Sequence, residues 1–330
     1  MIVATAAAIA SAAALAAAAT AALLRLRTRL PLAMPNARTL HATPIPRVGG
    51  LSVWAGFLPV ALLVPAPGTL ALGLWVGPLL ALIVVSLRDD IRSVSIPIRL
   101  AVHVLASAWF ALALSFAAAT AAPAAFAAAA AVTCLWSLNL YNFMDGSDGL
   151  AAAMTLVGFA AYGAVLAWQD APAALPLALS ATAVPVLLVN RPPARMFLGD
   201  VGAVPLGFLA AAFGLGGVAG GLWAAWFPPL VFLPFVADAT ATLARRVVAR
   251  ERFWESHKSH YYQRLHQLGA GHAGTLAVWA GLMGGCAGTA VACACLAPQW
   301  GAAALTAWCA VHAGVFAAID YHWRRSARTT

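Results

Sequence analysis

The feature that most restricts this chain is the recurrence of apolar runs of about 17 to 25 residues, each long enough to cross a bilayer as a helix. Eleven are found, near 2–24, 48–66, 69–87, 99–118, 121–142, 149–168, 171–189, 202–219, 221–243, 272–296 and 299–318. Inside hydrocarbon every backbone N–H and C=O must be bonded within the protein, and a helix does this by itself. Only 9% of the residues are charged, against roughly 25% in a soluble domain. The expected fold is therefore all-α, a polytopic integral membrane protein with about eleven transmembrane helices. No segment between the runs is long enough to fold alone, so 1–330 reads as one transmembrane domain.

Charge placement sets the orientation. All 19 Lys and Arg residues fall on alternate connections between the runs, and cytoplasmic loops are the ones that keep positive charge. Arg25, Arg27, Arg29, Arg38 and Arg47 follow the first run, Arg88, Arg92 and Arg99 the third, Arg191 and Arg195 the seventh. The rest lie between the ninth and tenth or after the last. This predicts an external N-terminus and a cytoplasmic C-terminus. The first run has no Lys or Arg ahead of it and three Arg behind it, so it reads as an uncleaved span. The same rule explains the net charge of +9 and removes the case for a nucleic-acid partner. The five cysteines lie inside apolar runs without metal-site spacing and read as small buried residues.

Nine of the ten acidic residues fall in predicted cytoplasmic loops or at the cytoplasmic ends of runs, Asp170 being the exception. A transporter usually carries its ionisable groups at mid-membrane, so this pattern predicts a reaction centre at the interface. The loops near 25–47, 88–98, 143–148, 190–201 and 244–271 are expected to form it. Asp89 and Asp90 are adjacent carboxylates, which need a cation to share or a proton to hold. Asn139, Asn142, Asp145 and Asp148 recur at intervals of three and end among glycines that let the backbone approach a ligand. Asn190, Arg195, Phe197 and Asp200 share a short loop stiffened by Pro192 and Pro193. There Arg195 suits a phosphate, Phe197 offers a face to a base, and Asp200 an oxygen to Mg²⁺. His257, Lys258 and His260 are placed to meet one diphosphate, and Arg47 lies in a loop made rigid by prolines and glycines.

With these clusters in order, the chain resembles the polyprenyl-phosphate N-acetylhexosamine-1-phosphate transferase superfamily, glycosyltransferase family 4. The Asp-Asp pair that closes a span falls on Asp89 and Asp90. The pattern N-x-x-N-x-x-D-G-x-D-G falls on Asn139, Asn142, Asp145 and Asp148, and G-D-x-G on Gly199, Asp200 and Gly202. The resemblance implies Asp200 as the Mg²⁺ ligand, with Asp89 close by and Mn²⁺ able to substitute. It also implies Phe197 as the aromatic that stacks on uracil, with Asn190 matching a family asparagine. Ser93 stands where many members carry a third aspartate. The stretch His257-Lys258-Ser259-His260 replaces the three consecutive histidines of phospho-MurNAc-pentapeptide translocases. That departure turns the resemblance toward enzymes that start O-antigen or other surface polysaccharides.

The implied reaction moves a sugar 1-phosphate, such as GlcNAc-1-P or a deoxy relative, from a UDP-sugar to undecaprenyl phosphate and releases UMP. Asp89, Asp90, Asp200, His257 and His260 are the expected catalytic set, Asp89 as base or nucleophile, with direct attack by the lipid phosphate favoured. Arg47, Asn139, Asn142, Asp145, Asp148, Asn190, Arg195, Phe197 and Lys258 are the expected substrate contacts. The implied setting is the bacterial cytoplasmic membrane with the site facing the cytoplasm, among membrane lipid, and compatible with a homodimer. The rivals are a transporter of lipid-linked sugars and, within the enzyme class, a teichoic-acid linkage or peptidoglycan-type transferase.

Overall fold

The computed structural model describes residues 2–33, 44–66, 68–120, 122–252 and 257–326. The middle of the 25–47 loop and residues 253–256 of the 244–271 loop lie outside the described residues. Thirteen α-helices account for nearly all of the described chain: α1 Ile2–Arg25, α2 Gly50–Ala61, α3 Leu72–Ile91, α4 Ile96–Ala117, α5 Pro123–Met144, α6 Leu150–Trp168, α7 Ala174–Asn190, α8 Asp200–Ala219, α9 Phe227–Val231, α10 Leu233–Val248, α11 Tyr261–Leu265, α12 Gly271–Leu296 and α13 Gly301–Ser326. The described residues include two strands, β1 Leu32–Ala33 and β2 Ile45–Pro46, which pair antiparallel. The all-α expectation holds.

Each of the eleven apolar runs is helical, but the runs are not equivalent. Among the described residues, eight helical segments are long and apolar enough to cross a membrane. Two more, α2 and α7, are apolar but of 12 and 17 residues, and at 1.5 Å per residue α2 spans well under a bilayer. The run near 221–243 is broken. Pro228, Pro229 and Pro234 interrupt it, because proline supplies no N–H and clashes with the preceding turn. It becomes the short α9 and then α10, which carries Asp238, Arg245 and Arg246.

Burial follows position in the bundle. Helix α8 is enclosed by α3 and α5, and from Val201 to Phe213 every residue is buried. The outer helices α1, α4 and α13 leave large apolar side chains such as Val3, Trp109 and Val311 exposed, as lipid-facing helices do. Aromatic rings fill the centre. Tyr162 stacks on Trp223 at 4.9 Å and donates its hydroxyl to the Ala210 carbonyl at 2.9 Å. Near the Asp200 end of α8 the backbone of α2 comes so close that a Cβ on Gly50 would overlap the Gly202 backbone. Small residues allow this kind of packing where no hydrophobic force acts between helices.

The helix ends that carry the five polar clusters meet. Arg47 reaches the end of α3, the 197–198 backbone pairs with 46–50, and Asp148 bonds the 190–200 loop. The 169–173 connection between α6 and α7 belongs to the opposite ends of those helices. Cysteine introduced at Ala171 in a Cys-free background should react with an impermeant thiol reagent in intact spheroplasts, while cysteine at Arg250 should not. The reverse pattern would invert the orientation read from the charges.

Candidate active site

The site is built on the C-terminal end of α3, the N-terminal ends of α4 and α8, and the turn after α5. Asp90 is 2% exposed. Its carboxylate accepts the N–H groups of Val201 at 2.9 Å and Asp200 at 3.3 Å. These are first-turn donors of α8 that no helical carbonyl can satisfy, and a negative charge is favourable there. Arg47 lies 3.6 Å from Asp90 as an ion pair. Its guanidinium also donates to the Asp90 carbonyl at 2.8 and 3.0 Å and the Asp89 carbonyl at 3.1 Å. Arg47 thus caps the end of α3 while joining it to the 45–50 segment.

Asp89 faces the other way. One oxygen accepts the Val94 N–H at 2.7 Å, and the other pairs with Arg99 at 2.5 Å. The same Arg99 nitrogen lies 3.4 Å from Asp200, so one guanidinium from the first turn of α4 bridges two carboxylates. Sequence reasoning missed Arg99 as a site residue and counted it only as a charge. Its place ten residues after Asp89, across a short connection into α4, is the signal that was present.

Asp145 caps α5 and shares this region. Burial first, and then the charges of Asp200 and Asp90, push its carboxyl well above the usual carboxylate range, although the Gly199 amide opposes this. Gly199 is at φ 76°, ψ 171°, a conformation that only glycine adopts without strain. A Cβ there would also strike the Arg47 carbonyl and lie 2.8 Å from the Asp90 carboxylate.

The remaining sequence candidates divide into braces and rim residues. Asn190, 2% exposed, accepts the Gly149 N–H at 3.0 Å and donates to the Met196 carbonyl at 2.9 Å. Asp148 accepts the Ala194 N–H at 3.0 Å and lies 3.5 Å from His272. Both therefore hold the 145–149 turn against the 190–200 loop. The Asn139 amide donates to Leu135 within its own helix at 2.7 Å, and the Asn142 carbonyl accepts the Asp145 N–H at 3.2 Å. Arg195 is exposed and Phe197 half-buried. Phe197 is held by its backbone, its N–H donating to Pro46 at 2.7 Å and its carbonyl accepting from Gly49 at 2.9 Å.

The histidine loop is anchored by Asp238, a second residue that sequence reasoning missed. Asp238 is fully buried and accepts the N–H groups of Tyr261 and Tyr262, each at 2.9 Å. It also lies 3.3 Å from the His260 ring nitrogen. A lone Asp inside an apolar run, seven residues before Arg245, was the only sequence signal. His257 stacks on His260 at 5.0 Å, and Lys258 follows it half-buried. The loop joins the last turn of α5, where the Tyr262 hydroxyl donates to the Phe143 carbonyl at 2.9 Å.

At this point the comparisons with known proteins bear on the site. Residues 72–218, which contain Asp89, Asp90, Asp145, Asp148 and Asp200, match the model of Glycosyl transferase family 4. A Bacillus subtilis (strain 168) protein named probable undecaprenyl-phosphate N-acetylglucosaminyl 1-phosphate transferase is 26% identical, over 72% of this chain and 70% of its own length. The Yersinia pestis undecaprenyl-phosphate alpha-N-acetylglucosaminyl 1-phosphate transferase is 32% identical, over 53% of this chain and 52% of its own length. A phospho-N-acetylmuramoyl-pentapeptide-transferase of Levilactobacillus brevis is 38% identical over 77 residues, 22% of this chain and 24% of its own. The likeness to polyprenyl-phosphate sugar-1-phosphate transferases is at family level. The family match spans the carboxylate cluster but ends before the Asp238-anchored loop.

Two outcomes check the geometry. Gly199→Ala should destabilise the detergent-solubilised protein by at least about 2 kcal/mol, the scale of a residue forced into a glycine-only conformation, read as a lowered thermal midpoint. His257 gives a pH dependence. Burial, then His260, Arg246 and Arg245, lower its pKa from 6.5 to about 4, with Asp238 opposing. Between those values the unfolded chain holds the proton and the folded one does not, so stability should rise from pH 4 to 6.5 and level off above. The His257→Gln variant should show a flatter rise over that window.

Proposed function

We propose that this protein transfers a sugar 1-phosphate from a UDP-sugar to a polyprenyl phosphate, releasing UMP. The observation that carries the reading is the meeting of Asp89, Asp90, Asp145 and Asp200 at one end of the helix bundle with Arg47 and Arg99 between them. Phosphoryl transfer mainly needs positioned charge and in-line geometry, and a cluster of carboxylates with interleaved guanidiniums supplies both. The Bacillus and Yersinia relatives bear the names of enzymes of the same reaction class.

Among the described residues, no three His, Cys, Asp or Glu side chains form a metal-binding group. Mg²⁺ usually takes one or two carboxylates together with substrate phosphates and water, and the oxygen donors of Asp89 and Asp200 fit that requirement. Both already converge on one cation, Arg99, so their geometry suits a shared positive charge. Mg²⁺ held by Asp200 with Asp89 would neutralise the diphosphate and polarise its bridging bond. Mn²⁺ would serve in the same role.

The protein's own groups do the rest. Asp90 fixes the N-terminus of α8 and with it the direction of Asp200. Arg99 holds Asp89 and Asp200 in register and can turn to the anionic substrate. The exposed Arg195 and the half-buried Phe197 lie on the 190–200 loop, where they would offer a guanidinium and a ring to a nucleotide arriving from water. The lipid phosphate is already an anion, so Asp89 is assigned to alignment and proton acceptance, and attack by the acceptor is direct.

The test is to incubate the purified protein with UDP-GlcNAc, Mg²⁺ and undecaprenyl phosphate and measure UMP, then to repeat the assay with a panel of UDP-sugars. UMP should appear only with all components present, and a transporter of lipid-linked sugars would release none. Asp200→Asn should keep expression and fold while losing turnover by about 10²-fold or more, the scale of one strong electrostatic stabiliser. Wild-type turnover in that variant would overturn the role of Asp200.

A further inference from the structure

The turn between α5 and α6 is bonded on two sides. Toward the 190–200 loop, the Gly149 N–H donates to Asn190 at 3.0 Å and Asp148 accepts the Ala194 N–H at 3.0 Å. On the other side stands His272, the second residue of α12. Its Nδ1 accepts the Asp148 N–H at 3.2 Å and lies 3.1 Å from the Ser147 hydroxyl. Ser147 and Asp148 are each 5% exposed, so an amide that lost this partner would be left buried and unpaired.

A backbone N–H can only donate, so Nδ1 presents its lone pair and the ring proton sits on Nε2. Asp148 Oδ1 lies 3.5 Å from the same nitrogen, an approach that makes no hydrogen bond in that tautomer. Serine, imidazole and carboxylate thus converge on one ring nitrogen, whereas a relay that activates a serine needs the two partners on opposite nitrogens. The cluster builds no nucleophile; it holds a backbone. The ring is held in turn. His266 packs edge-on against it with centroids 4.4 Å apart, and Leu276, one helical turn further along α12, lies where a Cβ on Gly149 would meet it at 2.9 Å.

We propose that His272 is a positioning residue for the nucleotide. It fixes the 147–148 backbone, and the Asp148 carboxylate passes that position to Ala194. Arg195 and Phe197 come one and three residues after Ala194, so the direction of both follows from the placement of the turn. The inference rests on the assignment of Arg195 and Phe197 to the UDP-sugar, and His272 acts through the loop without touching substrate. Because His272 lies beyond the 72–218 segment of the family match, α12 sets the geometry of a loop inside that segment.

The test compares His272→Ala, His272→Asn and His272→Gln in the full-length protein in detergent. Asparagine puts an amide oxygen on the same carbon that carries Nδ1, while glutamine carries it one bond further out. Hydrogen–deuterium exchange of peptides covering 190–200 should quicken about 10-fold in His272→Ala and His272→Gln, the scale of one buried hydrogen bond lost, and stay near wild type in His272→Asn. KM for the UDP-sugar should rise about 10-fold in the same two variants, with kcat and the KM for polyprenyl phosphate unchanged, the pattern of lost binding rather than lost folded enzyme. Wild-type exchange in both His272→Ala and His272→Gln overturns the proposal. So does a fall in kcat at unchanged KM, or a His272→Asn variant that behaves as His272→Ala. If His272→Ala does not fold, His272→Gln against His272→Asn decides the same point. If the wild-type protein releases no UMP from any UDP-sugar, the transferase reading fails, and exchange still upholds or overturns the hold of His272 on the loop.

Discussion

The Asp90 carboxylate is the point on which the rest of the site depends. It receives two amides from the first turn of α8 and faces Arg47, whose guanidinium in turn caps the carbonyls at the end of α3. Three stretches distant in sequence are fixed to one another by this group. A buried carboxylate is costly unless its oxygens are satisfied, and here helix-end donors and an arginine do so. Losing one partner would leave the others buried and unpaired, which is more expensive than the bonds themselves.

This anchoring leaves the Asp89 and Asp200 carboxylates facing Arg99. Because Asp90 and Gly199 set the start of α8, Asp200 is presented at the first residue of a helix, beside Asp89 and Arg99. The Asp148–Ala194 and Asn190–Gly149 bonds hold the neighbouring turn, so the cluster is supported from two sides. Rigid support of this kind holds charged groups in place without reorganisation, as the proposed phosphoryl transfer requires.

The histidine loop is organised by the same device. Asp238 accepts the first amides of α11 as Asp90 accepts those of α8. In both places a carboxylate satisfies the unbonded donors of a helix start at the edge of the bundle, where water is scarce. The second anchor ties α10 to α11, and the Asp320 network extends the connection to α13. The rim of the site thus rests on helices that face lipid.

By itself the sequence determined the all-α membrane character, because long apolar runs leave the backbone no partner but itself. It also picked out the polar segments that meet at one end of the bundle, since Asp89, Asp90, Asp145, Asp148 and Asp200 stand out against an apolar background. The division of labour among those residues was decided by tertiary structure. Asp90 and Asp89 are neighbours of identical chemistry, and only the approach of α8 on one side and Arg99 on the other gives them different partners. Asn190 and Asp148 read as substrate contacts from their motifs, and in the folded chain both also bond the neighbouring turn and loop. Arg99 and Asp238 were not legible as functional, because an arginine at a span end and an aspartate in an apolar run acquire meaning from partners ten and more than twenty residues away. The break between α9 and α10 was not read from the apolar run, although Pro228, Pro229 and Pro234 stand in it, because an unbroken run of apolar residues does not register where one helix ends and another begins.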